Sequence, residues 1–186
     1  MAPVANFLEK RLRLQVNRRK SAVAPARERQ FLGYRIGEGG VFGIAPKSLR
    51  RVKERLRRIT RRNRGIPAER MIAEANAFTS GWVTYFRHIQ IPAVFRDLDG
   101  WLRRKLRCVR LKQCKRARTI AAFLQDNGVP ARRAWKLAGS GKGWWRLAGS
   151  PPAHEAMRKV WFDKLGLTSL AERHAALNAV GNRRLR

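Results

Sequence analysis

Two runs of cationic side chains define the chemistry open to this chain. Residues 47 to 64 hold ten Lys or Arg and one acid, Glu54, and residues 103 to 118 hold nine and no acid. Both runs fall where the apolar residues repeat with helical spacing, so each wraps a cylinder in guanidinium and ammonium groups. Over all 186 residues, 43 basic side chains face 12 acidic ones, a net charge of +31. A surface so charged repels itself until a polyanion neutralises it. Arginine outnumbers lysine, and the guanidinium fork grips phosphate bidentately and stacks on bases. The expected chemistry is phosphate recognition, with nucleic acid as partner. A membrane partner is not expected: the apolar runs span a few residues, far short of the ~20 that cross a bilayer, and an anionic membrane, the rival polyanion, needs an amphipathic helix or a lipid anchor to hold on.

Covalent and metal chemistry have less to stand on. Asp97 and Asp99 are the one close pair of acids. Two positions on a helix are separated by about 200°, so these carboxylates cannot share a metal. One of them is expected to cap the third helix or to pair with an arginine. Gly139 to Gly143 has the look of a phosphate loop, but Lys136 stands where the first Walker glycine belongs and Gly143 where Ser or Thr must follow Lys142. His154-Glu155 opens like a zinc-protease helix, with Arg158 in place of the second histidine. His88 and His174 have no ligand-spaced partner. Cys108 lies near Arg107 and Arg110 but has no histidine beside it to act as base. Cys108 and Cys114 stand roughly 120° apart on one helix and are expected as separate, buried, reduced thiols. No catalytic residue, metal or cofactor is expected.

These residues need a scaffold, and 44% apolar residues with six Trp and eight Phe are too many for a disordered basic tail. The expected fold is mainly α. Residues 3 to 10 read as the end of a helix. Leu12 to Val16 alternate as a strand, and Asn17 to Arg29 read as a loop. Phe31 to Ile36, a turn at Gly37 to Gly40, and Val41 to Ile44 read as a β-hairpin. A helix over 46–64 carries the stripe Leu49, Val52, Leu56 and Ile59. A second starts at Pro67 with Met71, Ala75, Phe78, Trp82 and Phe86. A third, 93–116, carries Phe95, Leu98, Leu102, Leu106 and Val109. Shorter helices are expected over 120–126 (capped by Thr119), 131–138 and 153–165. Between the last two runs a Gly-rich loop over 139–152. A final helix over 170–178 opens on the capping-box spacing Ser169-x-x-Glu172, and the tail is read as frayed. The best internal boundary is near residue 45.

Several sequence words then resemble one family. Leu14-x-Val16-Asn17-x-x-Lys20-Ser21 and Phe31-Leu32-Gly33-Tyr34 resemble the closing part of a reverse transcriptase palm. Ile59-Thr60-x-Arg62-Asn63-x-Gly65, Gly81-Trp82-x-x-Tyr85-Phe86, Leu98-Asp99-x-Trp101-Leu102-Arg103-Arg104-x-Leu106-Arg107 and Lys112-Gln113-x-Lys115 resemble the thumb and maturase region of group II intron-encoded proteins. The resemblance implies a palm remnant over 1–45, thumb-like helices over 46–91, a helical maturase (X) domain over 92–178 and a basic tail over 179–186. In that family the palm synthesises DNA on RNA templates through a Tyr-x-Asp-Asp motif, and the thumb and X domain grip intron RNA. Neither Tyr34 nor Tyr85 begins that motif. The fingers, the catalytic aspartates and a zinc endonuclease module are expected to be missing. Leu111 and Cys114 stand where family members often carry Trp, which bears on affinity only if those positions face RNA.

The function so implied is help with intron RNA folding and splicing, with no polymerase activity in this chain. The expected RNA-binding residues are Arg50, Arg51, Arg57, Arg58, Arg61, Arg62, Arg103, Arg104, Arg107, Lys112, Lys115, Arg116, Lys142, Trp144, Trp145 and Arg146. For Trp144 and Trp145, stacking on unpaired bases and closing the helical core are both open. Expected partners are structured intron RNA, an RNA/DNA duplex and a complementing palm fragment. Mg²⁺ enters only with a palm supplied in trans. Location is expected to be the bacterial cytoplasm. Two alternatives stand beside this reading: one piece of a split RNA-directed DNA polymerase, or a decayed remnant of a mobile element.

Overall fold

A computed structural model describes residues 2–17 and 24–183. Lys20 and Ser21 of the first resemblance, part of the loop expected over 17–29, and tail residues 184–186 lie outside the described residues.

The first helix, α1, spans Ala2–Lys10. The strand expected over residues 12–16 does not form. An extended segment needs a neighbour to take its N–H and C=O groups, and here the Leu14 N–H turns back to the Leu8 carbonyl at 3.0 Å. Arg13, at φ 52°, breaks the extended run.

Three short strands follow, β1 (Gln30–Phe31), β2 (Tyr34–Ile36) and β3 (Phe42–Ile44), in an antiparallel meander. The expected hairpin is β2 and β3, with Ile36 opposite Phe42. The single strand expected over Phe31 to Ile36 is instead cut by a tight turn at Leu32 and Gly33, with φ of 50° and 82°. Two consecutive positive φ values are what a two-residue hairpin turn requires. Gly33 is needed for a second reason: a Cβ there would lie 2.7 Å from the Ser48 hydroxyl.

The helical part contains α2 (Pro46–Ile59), α3 (Ala68–Tyr85), α4 (Ala93–Gln113), α5 (Ala117–Asp126), α6 (Ala131–Ala138), α7 (Trp144–Leu147), α8 (Pro151–Ala156), α9 (Lys159–Lys164) and α10 (Leu170–Arg183). The fold is mainly α, as expected. Helix α2 stops five residues before residue 64. The Arg64 guanidinium donates to the Ile59 carbonyl at 2.8 Å and pairs with Glu74 on α3 at 2.7 Å, closing the helix end from outside. Arg61 and Arg62 therefore sit on a turn. Thr119 lies inside α5, whose first turn starts at Ala117. The Gly-rich loop contains α7 and the start of α8, and the helix expected over 153–165 is broken at Met157 (φ −119°, ψ 64°). Helix α10 runs on to Arg183, so Asn182 and Arg183 are helical.

One continuous core joins these elements. The stripes of α2 and α4 are buried as expected at Val52, Leu56, Ile59, Phe95, Leu98, Leu102, Leu106 and Val109. Helix α3 is buried on a wider arc than its stripe implies. Phe78 and Trp82 are half-exposed, while Ile72, Thr79 and Val83 are covered, because α3 packs on α2, α4 and α10 from different sides. Leu111 and Cys114 are both buried, so these two positions face the core. Both cysteines are free and buried, and burial raises their thiol pKa values.

The sheet is seated on the end of α3. The Phe86 ring lies 5.0 Å from that of Tyr34. The Tyr85 hydroxyl donates to the Leu32 carbonyl at 2.7 Å, and the Tyr34 hydroxyl donates to the Tyr85 carbonyl. These contacts cross the boundary expected near residue 45.

Candidate nucleic-acid interface

Helix α2 hides one narrow apolar stripe and leaves the rest of its circumference to water. Arg50, Arg51, Arg57 and Arg58 are all exposed on it, as are Arg61 and Arg62 on the turn beyond. Helix α4 is embedded more deeply. Arg103 and Arg104 are half-buried, while Lys112, Lys115 and Arg116 are exposed at or just past its C-terminal end. Lys142, Trp145 and Arg146 are exposed around α7, and Trp144 is half-buried against the core.

Part of this set is brought together where α2, α4 and α7 meet. The Arg57 guanidinium lies 5.7 Å from the centre of the Trp101 ring. Lys105 lies 5.8 Å from the same ring and 5.6 Å from that of Trp145. Arg104 lies 4.2 Å from the Trp145 ring and donates to the Trp145 carbonyl at 2.9 and 3.1 Å. The result is an alternating row, Arg57, Trp101, Lys105, Trp145, Arg104. Cation–π attraction of this kind contributes about 0.5–1 kcal/mol per pair near the surface. Close approach is built into the backbone: a Cβ at Gly149 would lie 2.5 Å from the Arg104 guanidinium.

The electrostatics of the row are those of an uncompensated site. Partial burial lowers the pKa of Lys105, and the neighbouring charges of Arg57 and Arg62 add to that effect. Among the described residues, the ion pairs are Arg64 and Arg70 with Glu74, Arg133 with Glu155, and Lys159 with Asp163 and Glu172. None involves a cation expected from sequence to bind RNA.

Arg107 is a correction. It was expected on the RNA-binding face, and it is 5% exposed. Its guanidinium donates to the Met157 carbonyl at 2.9 and 3.1 Å and lies 5.4 Å from the Phe162 ring. Burial, then repulsion from Arg103 and Arg104, pulls its pKa down to about 10, so it stays charged at neutral pH. It ties α4 to the α8–α9 junction and has no face left for a ligand. Helix α4 buries a second side here in addition to its stripe, which the apolar spacing alone does not announce.

Trp144 and Trp145 part company. Trp144 packs inward, and its carbonyl accepts from the Cys108 thiol at 3.4 Å. Trp145 keeps 42% of its surface exposed. Lys142 and Arg146 line a separate concavity with Arg133 and Lys136. Lys112, Lys115 and Arg116 stand at the far end of α4.

Sequence reasoning left Trp101 and Lys105 out of the site. Their spacing of four places them on one face of α4, and Lys105 sits within the second basic run, so the signal was there.

Asp99 serves structure. Its buried carboxylate accepts from the Ser169 hydroxyl at 2.7 Å and from the N–H groups of Leu170 and Ala171 at 2.9 and 3.1 Å. It caps α10, a different helix from the one expected. Among the described residues no three His, Cys, Asp or Glu side chains gather as a metal site would require. None of the described helices is long and apolar enough to cross a membrane.

No curated protein matches the chain. Residues 49–125, which supply α2, α3, α4 and most of α5, match the family model of the group II intron, maturase-specific domain. Over those residues the chain is similar to a group II intron maturase-specific domain.

Proposed function

We propose that the chain holds structured intron RNA on the face shared by α2, α4 and α7, and that it aids splicing by binding alone. The observation that carries this reading is the row of Arg57, Trp101, Lys105, Trp145 and Arg104, cations alternating with indoles and free of ion pairs. Phosphates suit the cations, and the exposed surface of the Trp145 indole suits an unpaired base. A rigid surface that binds the folded RNA better than misfolded forms shifts the population toward the active one. Such help needs no catalytic residue and no cofactor. An RNA/DNA duplex would meet the same cations.

The test is a salt titration of binding to a structured intron RNA. Each neutralised phosphate contributes a slope of about 0.7–0.9 to the fall of log K with log salt. Replacing Arg57, Arg62 and Lys105 together with Gln is expected to weaken binding and flatten the slope by about two units. A triple variant with wild-type affinity and slope overturns the assignment.

A second reading has its own observation. Phe31 and Leu32 are 76% and 66% exposed, and with Phe42 they line an apolar groove on the sheet. A complementing palm fragment would cover it. Copurification of a separately expressed palm, lost in Phe31→Ser/Leu32→Ser and accompanied by Mg²⁺-dependent synthesis, would support that reading.

A further inference from the structure

A second concave surface lies at the end of α4, between the start of α3 and the α5–α9 pair. It is a groove of about 750 Å³, roomy enough for a small ligand. Its aromatic lining is Phe123 and Trp161, both half-buried, with rings 6.2 Å apart and nearly perpendicular. Arg110 lies over the Phe123 ring at 4.4 Å, and no hydrogen bond or ion pair among the described residues engages its side chain. Gln113 donates to the Ile66 carbonyl at 3.0 Å and so bridges the two walls. Arg62 and Lys115 also line the groove, and the one acid on it is Glu69.

Lys115 closes the end of α4 beside the groove. Its φ is 59°, in the left-handed region that glycine prefers. The Arg116 N–H bonds to the Cys114 carbonyl at 2.6 Å across it. Lys115 directly follows Cys114, the cap of α4, where a left-handed residue commonly closes a helix, and a lysine there costs stability that a glycine would not. The conformation places Lys115 on the groove.

We propose that this groove receives one unpaired nucleotide of RNA. The base stacks on the Arg110 guanidinium and the indole of Trp161, and Arg62 and Lys115 take the flanking phosphates. Guanidinium planes and aromatic rings are the surfaces on which splayed-out RNA bases stack, and stacking tolerates any base because each has a π-face. This rests on the RNA-binding reading above. It extends that reading from a phosphate-gripping face to a seat selective for single-stranded RNA, with Arg62 shared between the two.

The experiment uses the full chain and two labelled RNAs of equal phosphate number, one single-stranded and one a blunt hairpin. Arg110→Gln is expected to weaken single-strand binding about tenfold, with less than about a twofold change on the hairpin and an unchanged salt slope. Lys115→Gly is expected to raise the melting temperature and still weaken single-strand binding about threefold, an effect no loss of folding can mimic. Equal losses on both RNAs, or none on either, overturn the groove. Wild-type protein that binds neither RNA overturns the RNA-binding reading and the groove with it. Hairpin binding that depends on Arg57 and Lys105, with single-strand binding untouched by Arg110→Gln and Lys115→Gly, removes the groove alone.

Discussion

The Asp99 carboxylate, on α4, accepts the hydroxyl hydrogen bond of Ser169, 70 positions away, at 2.7 Å. The same carboxylate takes the first free N–H groups of α10, while the Ser169 hydroxyl accepts from the Glu172 N–H at 3.3 Å. A cap borrowed from another helix fixes two elements at once. Asp99→Ala is expected to cost about 1–3 kcal/mol, since a buried charge-assisted cap is lost. Asp99→Asn, which keeps one acceptor, is expected to cost less. Urea unfolding of the two variants checks the order.

Arg107 gives the opposite prediction for binding. Arg107→Met fills similar space and removes a buried charge without a carboxylate partner. It is expected to leave RNA affinity and salt slope unchanged. The pH sign follows from its lowered pKa of about 10. The folded state holds this proton less firmly than the unfolded chain, so the cost of burying the charge is present below pH ~10 and is relieved as pH rises through that value toward the unfolded one. The melting temperature of the wild type is expected to gain on that of Arg107→Met between about pH 8.5 and 10.5. A constant difference across that range would show that Arg107 does not titrate there.

The two neighbouring indoles are expected to fail in different ways. Trp145→Ala should lower RNA affinity by ~1–3 kcal/mol with the salt slope intact, the mark of lost stacking. Trp144→Ala should open a cavity and cost about 2–4 kcal/mol of stability. Melting curves beside binding isotherms separate the two.

Removing residues 1–45 tests how far the sheet supports the helices. The fragment is expected to keep its helical circular dichroism, because the stripes of α2, α3 and α4 satisfy one another. Its melting temperature should fall, because Phe86, 3% exposed, loses the Tyr34 ring that covers it. An unfolded fragment would show that the sheet is a floor the helices require.

Helix identity and the stripes of α2 and α4 were legible because spacing of three and four reports one buried face directly. The hairpin β2–β3 was legible from its glycines. What escaped depends on partners distant in sequence. The strand over 12–16 needs a ladder that local alternation cannot supply. The end of α2 is set by Arg64 reaching Ile59 and Glu74. Arg107 looks like any surface arginine until Met157 and Phe162 close over it. For the site, the two basic runs were visible as runs, but the row at Trp101 and Lys105 exists only because α2 and α7 converge on one face of α4.

Among the described residues, no ion pair engages the cations of α2 or of the α4–α7 junction. On the RNA-binding reading proposed above, protein and RNA would stand in a reciprocal relation: the coupling free energy the chain lends to the folded RNA is the one the RNA lends to the folded chain. The unliganded chain should be least stable in dilute buffer, where its self-repulsion is unscreened. Each partner would in this sense be the other's folding cofactor, and the scarcity of acids on the protein sets how large that mutual contribution is.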